Sequence, residues 1–254
     1  MKRRILALIL CMITVVMLLP TASADYRTFK VNSKVKMTDK GHVIVTWEDS
    51  EGLGPYSVYF KYAENSKPQY RYLSQVYVTS KVCEIDRLIP GKQYMIYVTD
   101  RNGDEASGLI TVPRTGDSHT NRKQTTTLTL QYAKQDGKPR DLGTMSAEAM
   151  TRNIGKGYSY GLKYMMKFYS AASKKLVREA TFAFYSPTGF VKTEHATDFT
   201  LPKGANWWYW YNMLGDSFFD DLYSLNGEIP AGKYKFELYL DGHYFYGKNF
   251  TVKP

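Results

Sequence analysis

Short runs that alternate apolar with other residues at every second position constrain this chain more than any other feature. They are rich in β-branched and aromatic side chains and are bounded by Gly, Pro, Asn and Asp, as in 43–47, 56–62 and 94–98. A period of two places successive side chains on opposite faces of a strand. Strands at a spacing of roughly ten residues indicate antiparallel sandwiches. Only 145–150 and 217–225 predict short helices, so we predict an all-β fold of two tandem antiparallel sandwiches.

The cysteines and histidines limit which stabilising groups the chain can use. It has two Cys and four scattered His among 254 residues. Cys11 lies in an N-terminal apolar run, which leaves Cys83 without an intrachain partner. Because Cys83 alternates with Ile85, we expect its side chain to point inward as a small hydrophobe. The composition therefore excludes a disulfide scaffold, and we expect no metal and no cofactor.

The N-terminus is typical of a secretory signal peptide. Basic residues at 2–4 precede an apolar run at 5–19, and Ala-Ser-Ala at 22–24 forms a small-x-small cleavage site. The run is short for a membrane-spanning helix. We therefore predict that residues 1–24 are removed on secretion and that no transmembrane segment remains afterwards.

Charge and polarity divide the rest of the chain and restrict its partners. The net charge of +10 is spread along the sequence. Nucleic-acid binding requires clustered Lys and Arg, so we expect no nucleic acid as a partner. A polar stretch with little apolar character predicts a linker at 114–125. It separates a first domain at 25–113 from a second domain at 126–254.

Residues from about 28 to 113 resemble a fibronectin type III domain. The resemblance rests on a tryptophan that ends a Val-Ile-Val-Thr-Trp strand and on a Leu-Ile-Pro-Gly-Lys-Gln-Tyr segment. In that family the tyrosine folds over the Pro-Gly turn and bonds its hydroxyl to upstream backbone, a tyrosine corner. The resemblance implies a β-sandwich that serves as a spacer or an interaction surface. Five positions would form its structural core: Trp47, Leu88, Pro90, Gly91 and Tyr94.

The end of the second domain resembles the closing hairpin of bacterial extracellular immunoglobulin-like domains. A Pro-Ala-Gly turn at 230–232 precedes the alternating run 234–240, and Asp241-Gly242 is typical of a type I′ hairpin turn. A Ser-Pro-Thr-Gly turn within 184–190 supports the same resemblance. It implies an immunoglobulin-like sandwich and a bacterial source, and the strand order of 127–178 stays open.

The densest aromatic run, Ala-Asn-Trp-Trp-Tyr-Trp-Tyr, suggests a binding site. As a strand it places three rings on one face and two on the other. One set would then be exposed and suited to sugars or to a protein interface. Alternatively, the outer set packs beneath the short helix predicted at 217–225. The candidate ligand-binding residues are Trp207, Trp208, Tyr209, Trp210 and Tyr211.

Patterns associated with catalysis lack the context that catalysis requires. Gly-Tyr-Ser-Tyr-Gly at 157–161 matches G-x-S-x-G, but a nucleophile elbow needs a buried strand before the serine and a helix after it. Glu194, His195 and Asp198 fall on a predicted loop, where we interpret them as solvated polar residues. Asp220-Asp221 lacks the alternating spacing of calcium loops. We predict that the protein is not an enzyme.

These features together favour a secreted, non-catalytic binding protein. Its partner would be an extracellular protein, and any retention at the cell surface would be non-covalent because no wall-sorting motif is present. The alternative is a carbohydrate-binding protein that uses the aromatic run at 207–211 on a polysaccharide.

Overall fold

The computed structural model describes residues 27–63, 74–115, 124–133, 139–141, 146–168, 179–197 and 207–254. The predicted signal peptide and most of the predicted linker lie outside these ranges. Within them the chain forms four antiparallel four-stranded sheets and two short helices. The prediction of an all-β fold made of antiparallel sandwiches is therefore confirmed.

The first unit, residues 27–115, is built from two sheets. The strands are β1 (Phe29–Val31), β2 (Lys36–Met37), β3 (Val43–Asp49), β4 (Tyr56–Tyr62), β5 (Ser74–Val78), β6 (Val82–Ile85), β7 (Gln93–Thr99) and β8 (Glu105–Thr111). In one sheet β3 pairs with β1, β2 and β6, and in the other the order is β5-β4-β7-β8.

Alternation along these strands produces the core of the first unit. On β3, β4 and β7 every second residue is buried, and the buried faces of the two sheets meet. Trp47 packs edge-on against Tyr56 with ring centroids 5.2 Å apart. Leu88 is buried, and Cys83 is 2% exposed, as predicted for an inward-facing thiol.

A tyrosine corner closes the turn between β6 and β7. Tyr94 is buried, and its hydroxyl accepts a hydrogen bond from the Ile89 backbone N–H at 3.0 Å. Pro90 and Gly91 form the turn that it covers, and Gly91 has a φ of 76°, which favours glycine. The hydroxyl therefore satisfies a backbone donor that the turn leaves without a strand partner.

The second unit, residues 124–254, also contains two sheets. The elements are β9 (Gln124–Ala133), β10 (Pro139–Asp141), α1 (Ala147–Ile154), β11 (Ser159–Phe168), β12 (Ala180–Tyr185), β13 (Val191–Ala196), β14 (Trp207–Leu214), α2 (Asp216–Asn226), β15 (Gly232–Leu240) and β16 (His243–Val252). The sheets are ordered β10-β9-β11-β14 and β13-β12-β15-β16, and the first order supplies the arrangement of the described strands within 127–178, which the sequence left open.

Aromatic side chains fill the core of the second unit. The Phe236 ring lies near Phe182, Phe184 and Tyr164, with centroid distances between 5.3 and 6.1 Å. Helix α2 adds Phe218, whose ring stacks on Phe190 at 5.7 Å. Helix α2 also packs against β11 of the other sheet, so it contacts both sides of the core.

A second tyrosine corner occurs in this unit. The Tyr234 hydroxyl donates to the Pro230 carbonyl oxygen at 2.6 Å. The following hairpin turns through Asp241 and Gly242, whose φ angles of 47° and 76° are those of a type I′ turn. The sequence had indicated this turn, but gave no indication of the second corner.

The two units pack directly on each other. Strands β12 and β15 bury side chains on both faces. One face belongs to the aromatic core, and on the other face Ala183, Val191 and Tyr239 join the buried cluster of the first unit. Near this contact the backbones of Gly41 and Gly242 approach so closely that a β-carbon on Gly41 would lie 2.3 Å from the Gly242 nitrogen. We call this contact region the junction.

Candidate functional site

Three metal-ligating side chains meet at the junction, one from the first unit and two from the second. His42 follows the turn that leads into β3 and is held there by a hydrogen bond from its N–H to the Thr38 hydroxyl. Glu179 immediately precedes β12, and its N–H donates to the Asp241 carboxylate at 3.0 Å. His195 lies on β13, opposite Thr181 of β12. The antiparallel pairing of β12 with β13 therefore places Glu179 and His195 at the same end of the sheet.

The donor atoms of these residues converge on one carboxylate oxygen. His42 Nε2 contacts Glu179 Oε2, and His195 Nε2 lies 3.1 Å from the same oxygen. One ligand atom from each residue can be chosen so that all three lie within 4.8 Å of one another. Lys40 Nζ lies 3.0 Å from the other carboxylate oxygen, Oε1. The two oxygens of Glu179 thus face different partners.

Protonation in this cluster is set by burial and by charge. Burial alone would raise the pKa of Glu179, but hydrogen bonds from His42 and Lys40 hold it below its usual value. Burial lowers the pKa of His195, although the nearby carboxylates of Asp86 and Glu179 act in the opposite direction. The cluster therefore favours an ionised Glu179 and a neutral His195, which are the forms that bind metal ions.

The structure corrects the interpretation of His195 as a solvated residue on a loop. His195 belongs to strand β13, and its side chain is only 7% exposed. Glu194 accepts a hydrogen bond from the Gly215 N–H at 3.2 Å, and Asp198 lies outside the described residues. His42 had not been singled out at all. It is 137 positions from Glu179, so no local spacing could reveal a cluster that the packing of two units creates.

A second candidate surface is the outer face of the β5-β4-β7-β8 sheet. Tyr59 of β4 and Tyr97 of β7 are paired directly across the two strands. Tyr77 of β5 is 72% exposed, and Leu109 of β8 is 44% exposed. Leu109 is paired with Met95. This face, which we call the tyrosine face, carries aromatic and apolar side chains from four strands, with polar residues such as Ser57, Lys61 and Ser107 among them.

A polar cleft of about 440 Å³ also opens at the junction. Lys92 and Arg114 of the first unit lie on one side, and Tyr239 and Tyr244 of the second unit on the other. The two tyrosine rings are edge-on, with centroids 5.8 Å apart. The cleft shows that the two units do not meet over a fully closed surface.

The aromatic run at 207–211 lies on β14. This strand pairs with β11, and it ends its sheet among the described strands. Its backbone therefore follows the strand that the sequence predicted. The side chains of Trp207, Trp208, Tyr209, Trp210 and Tyr211 lie outside what the structure describes.

The motifs that had suggested catalysis occupy ordinary structural positions. Ser159 is the first residue of β11 and follows helix α1, so the order is helix then strand, the reverse of a nucleophile elbow. The Asp221 carboxylate accepts a hydrogen bond from Lys192 Nζ at 2.6 Å, which links α2 to β13.

Among the described residues no helix is long and apolar enough to cross a membrane.

The strand order and the tyrosine corner define the fold of the first unit. The first unit has a fibronectin type III-like fold, in which a sheet of β1, β2, β3 and β6 faces a sheet of β4, β5, β7 and β8. The second unit is another antiparallel sandwich.

Comparisons with known proteins find only distant structural matches. No protein-family model matches the chain, and no curated protein matches it. The chicken CNTN1 FN1-FN3 structure matches at 10% identity and a TM-score of 0.24, over 89% of this chain. The two-domain fibronectin type III segment of chicken tenascin matches at 8% identity and a TM-score of 0.26, over 90% of this chain and 99% of its own. This chain spans 64% of the CNTN1 chain.

Proposed function

We propose that this protein is a secreted, non-catalytic binding protein that engages an extracellular protein through the tyrosine face. The observation that carries the proposal is the exposure of Tyr77 and Leu109, at 72% and 44%, on the same side of one sheet. Large apolar side chains grouped on one surface mark interaction sites more often than isolated ones do. The signal peptide predicted at 1–24 supports a location outside the cell.

The chemistry of the tyrosine face favours a protein over a polyanion or a membrane. Its centre is the Tyr59–Tyr97 pair, with Ser57 and Ser107 beside it and the charged residues Lys61 and Glu105 nearer the strand ends. Interface centres are depleted in charged residues and enriched in aromatic residues and methionine. Tyrosine also supplies a large contact area at a small cost in conformational entropy.

The experiment is a crosslinking capture followed by a binding measurement. A photoreactive phenylalanine derivative at position 77 is introduced into the mature chain, which is then exposed to surface extracts of the source cells. The crosslinked protein is identified, purified and titrated. Tyr97→Ala is expected to weaken its binding at least about tenfold, as hot-spot tyrosines do.

Val82 provides a matched control for this test. It is 42% exposed but lies on β6, in the other sheet of the same unit. Val82→Ser is therefore expected to leave the affinity unchanged. Equal weakening by Val82→Ser and Tyr97→Ala would refute a specific role of the tyrosine face. If the unmodified chain self-associates and Tyr97→Ala does not, the partner at the tyrosine face would be a second copy of the chain instead.

A carbohydrate-binding function is the second candidate. The supporting observation is that β14 is an edge strand of its sheet among the described strands. No further described strand pairs with the outer edge of residues 207–211. Alternation places Trp207, Tyr209 and Tyr211 on one face of this strand. Glycan binding is expected to quench tryptophan fluorescence and to be lost in Trp207→Ala or Trp208→Ala. Absence of binding on a broad glycan array would exclude this function.

A further inference from the structure

We propose that His42, Glu179 and His195 bind one Zn²⁺ ion, which bridges the two units at the junction. The site lies apart from the tyrosine face and does not depend on the function proposed for that face. Three features of the cluster support this site: the His195 nitrogens lack hydrogen-bond partners, His42 is oriented by Glu84, and the donor atoms suit zinc.

His195 is a buried imidazole whose nitrogens lack hydrogen-bond partners. Its side chain is 7% exposed, and neither Nδ1 nor Nε2 makes a hydrogen bond. Nε2 lies 3.1 Å from Glu179 Oε2 without forming a hydrogen bond to it. Buried polar atoms without partners are rare and require an explanation. A metal ion bound to Nε2 and to Oε2 would give the buried Nε2 a partner.

His42 is oriented as metal-binding histidines usually are. Its Nδ1 lies 2.6 Å from Glu84 Oε1, while Nε2 faces Glu179. With the Nδ1–H donating to Glu84, the ion would replace the proton that Nε2 shares with Glu179, and the Nε2 lone pair would bind the ion. A carboxylate that holds the remote nitrogen fixes both the tautomer and the ring orientation of a ligand. In this arrangement Glu84 is a positioning residue for His42.

The donor set selects the class of metal. Two imidazole nitrogens and one carboxylate oxygen suit Zn²⁺, whereas Mg²⁺ and Ca²⁺ prefer oxygen ligands alone. Tetrahedral zinc with bonds of about 2.1 Å holds its donor atoms about 3.4 Å apart. The three donor atoms already lie within 4.8 Å of one another, so modest side-chain movements are needed to reach this geometry. The fourth position is open to water or to Asp86, whose Oδ2 lies 3.9 Å from His195 Nε2.

Lys40 leaves the metal-facing oxygen of Glu179 available. It contacts Oε1, so Oε2 stays directed toward the two histidines. This arrangement favours a monodentate carboxylate ligand. Because His42 belongs to the first unit and the other two ligands belong to the second, the bound ion would also hold the units together.

The test is a zinc titration of the mature two-unit chain, prepared without a histidine tag and stripped with EDTA. Competition with a chromophoric chelator is expected to show one Zn²⁺ per chain with a Kd of about 1 µM or tighter. His42→Gln and His195→Gln are each expected to weaken binding more than tenfold. Glu84→Gln is expected to weaken it by about 10- to 100-fold, as for other groups that orient a ligand.

His243→Gln is the matched control. His243 begins β16 outside the cluster, so this variant is expected to bind zinc as tightly as the unmodified chain. Zn²⁺, but not Mg²⁺, is expected to raise the melting temperature of the unmodified chain and of His243→Gln, but not that of His195→Gln. Circular dichroism establishes that each variant is folded. The proposal is overturned if the unmodified chain takes up no stoichiometric zinc, or if folded His42→Gln and His195→Gln variants take it up equally well.

Discussion

The two tyrosine corners allow the hydrogen-bond argument to be tested by a single-atom change. In the first unit, Tyr94→Phe removes the hydroxyl that accepts from the Ile89 N–H at 3.0 Å. Ile89 is fully buried and Tyr94 is 4% exposed. Water therefore has no access to the N–H that loses its partner. A buried donor left without a partner costs about 1–3 kcal/mol, so we expect the first unit to lose about 2 kcal/mol of stability.

The corner in the second unit is expected to respond less. Tyr234→Phe removes a donor to the Pro230 carbonyl oxygen. Pro230 is partly exposed, so water can replace the lost donor. The loss is then close to the net value of an ordinary hydrogen bond, about 0.5–1.5 kcal/mol.

Urea unfolding followed by tryptophan fluorescence measures both effects. Trp47 reports on the first unit, and the tryptophans at 207, 208 and 210 report on the second. With a slope of about 2 kcal/mol per molar urea, the Tyr94→Phe midpoint is expected to fall by about 1 M. Tyr77→Phe is the control, because the Tyr77 side chain is 72% exposed. A Tyr94→Phe midpoint equal to that of the control would refute the account of the buried donor.

Three further predictions follow from acid–base chemistry and from close packing. A hydrogen bond from Arg27 keeps the pKa of Asp49 far below its ordinary value of 3.8. Asp49 therefore contributes stability above pH 3.8 that is lost as the pH falls below that value. When the melting temperature is measured against pH, we expect it to fall less on acidification in Arg27→Gln than in the unmodified chain. Burial raises the pKa of Cys83 to about 11. A thiol reagent at pH 8 should therefore label Cys83 only after unfolding. If the native chain were labelled as fast as the unfolded chain, this expectation would be wrong. Gly41→Ala should lower the melting temperature, because the new β-carbon would clash with the Gly242 backbone and because residue 41 has a φ of +88°. An unchanged melting temperature would show that the backbone at the junction moves apart at little cost in stability.

Local patterns were sufficient to predict most of the fold. The alternation around Trp47 and Tyr56 specified strands with one buried face, because a period of two fixes which side chains share a face. The Pro-Gly turn before Tyr94 indicated a tyrosine corner, since that device depends on residues only a few positions apart. The short helices predicted at 145–150 and 217–225 occur as α1 and α2, with bounds shifted by a few residues.

Other features could not be predicted from local patterns. Residues 124 and 125, predicted as linker, begin β9, because strand pairing with β11 recruits polar residues that have no apolar alternation. His195 was assigned to a loop, since a polar Lys-Thr-Glu-His run gives no indication that another unit covers it. The tyrosine face was missed for a related reason: its residues come from four strands, and only the sheet order places them side by side.

The sequence by itself determined the strands, the turns and the inward-facing side chains, because each of these depends on neighbours a few residues apart. Only the tertiary structure decided that β12 and β15 are covered on both faces and that His42 lies beside Glu179 and His195. These contacts join residues more than a hundred positions apart, such as His42 and Glu179. They arise from the packing of one sandwich on another, which no local spacing records.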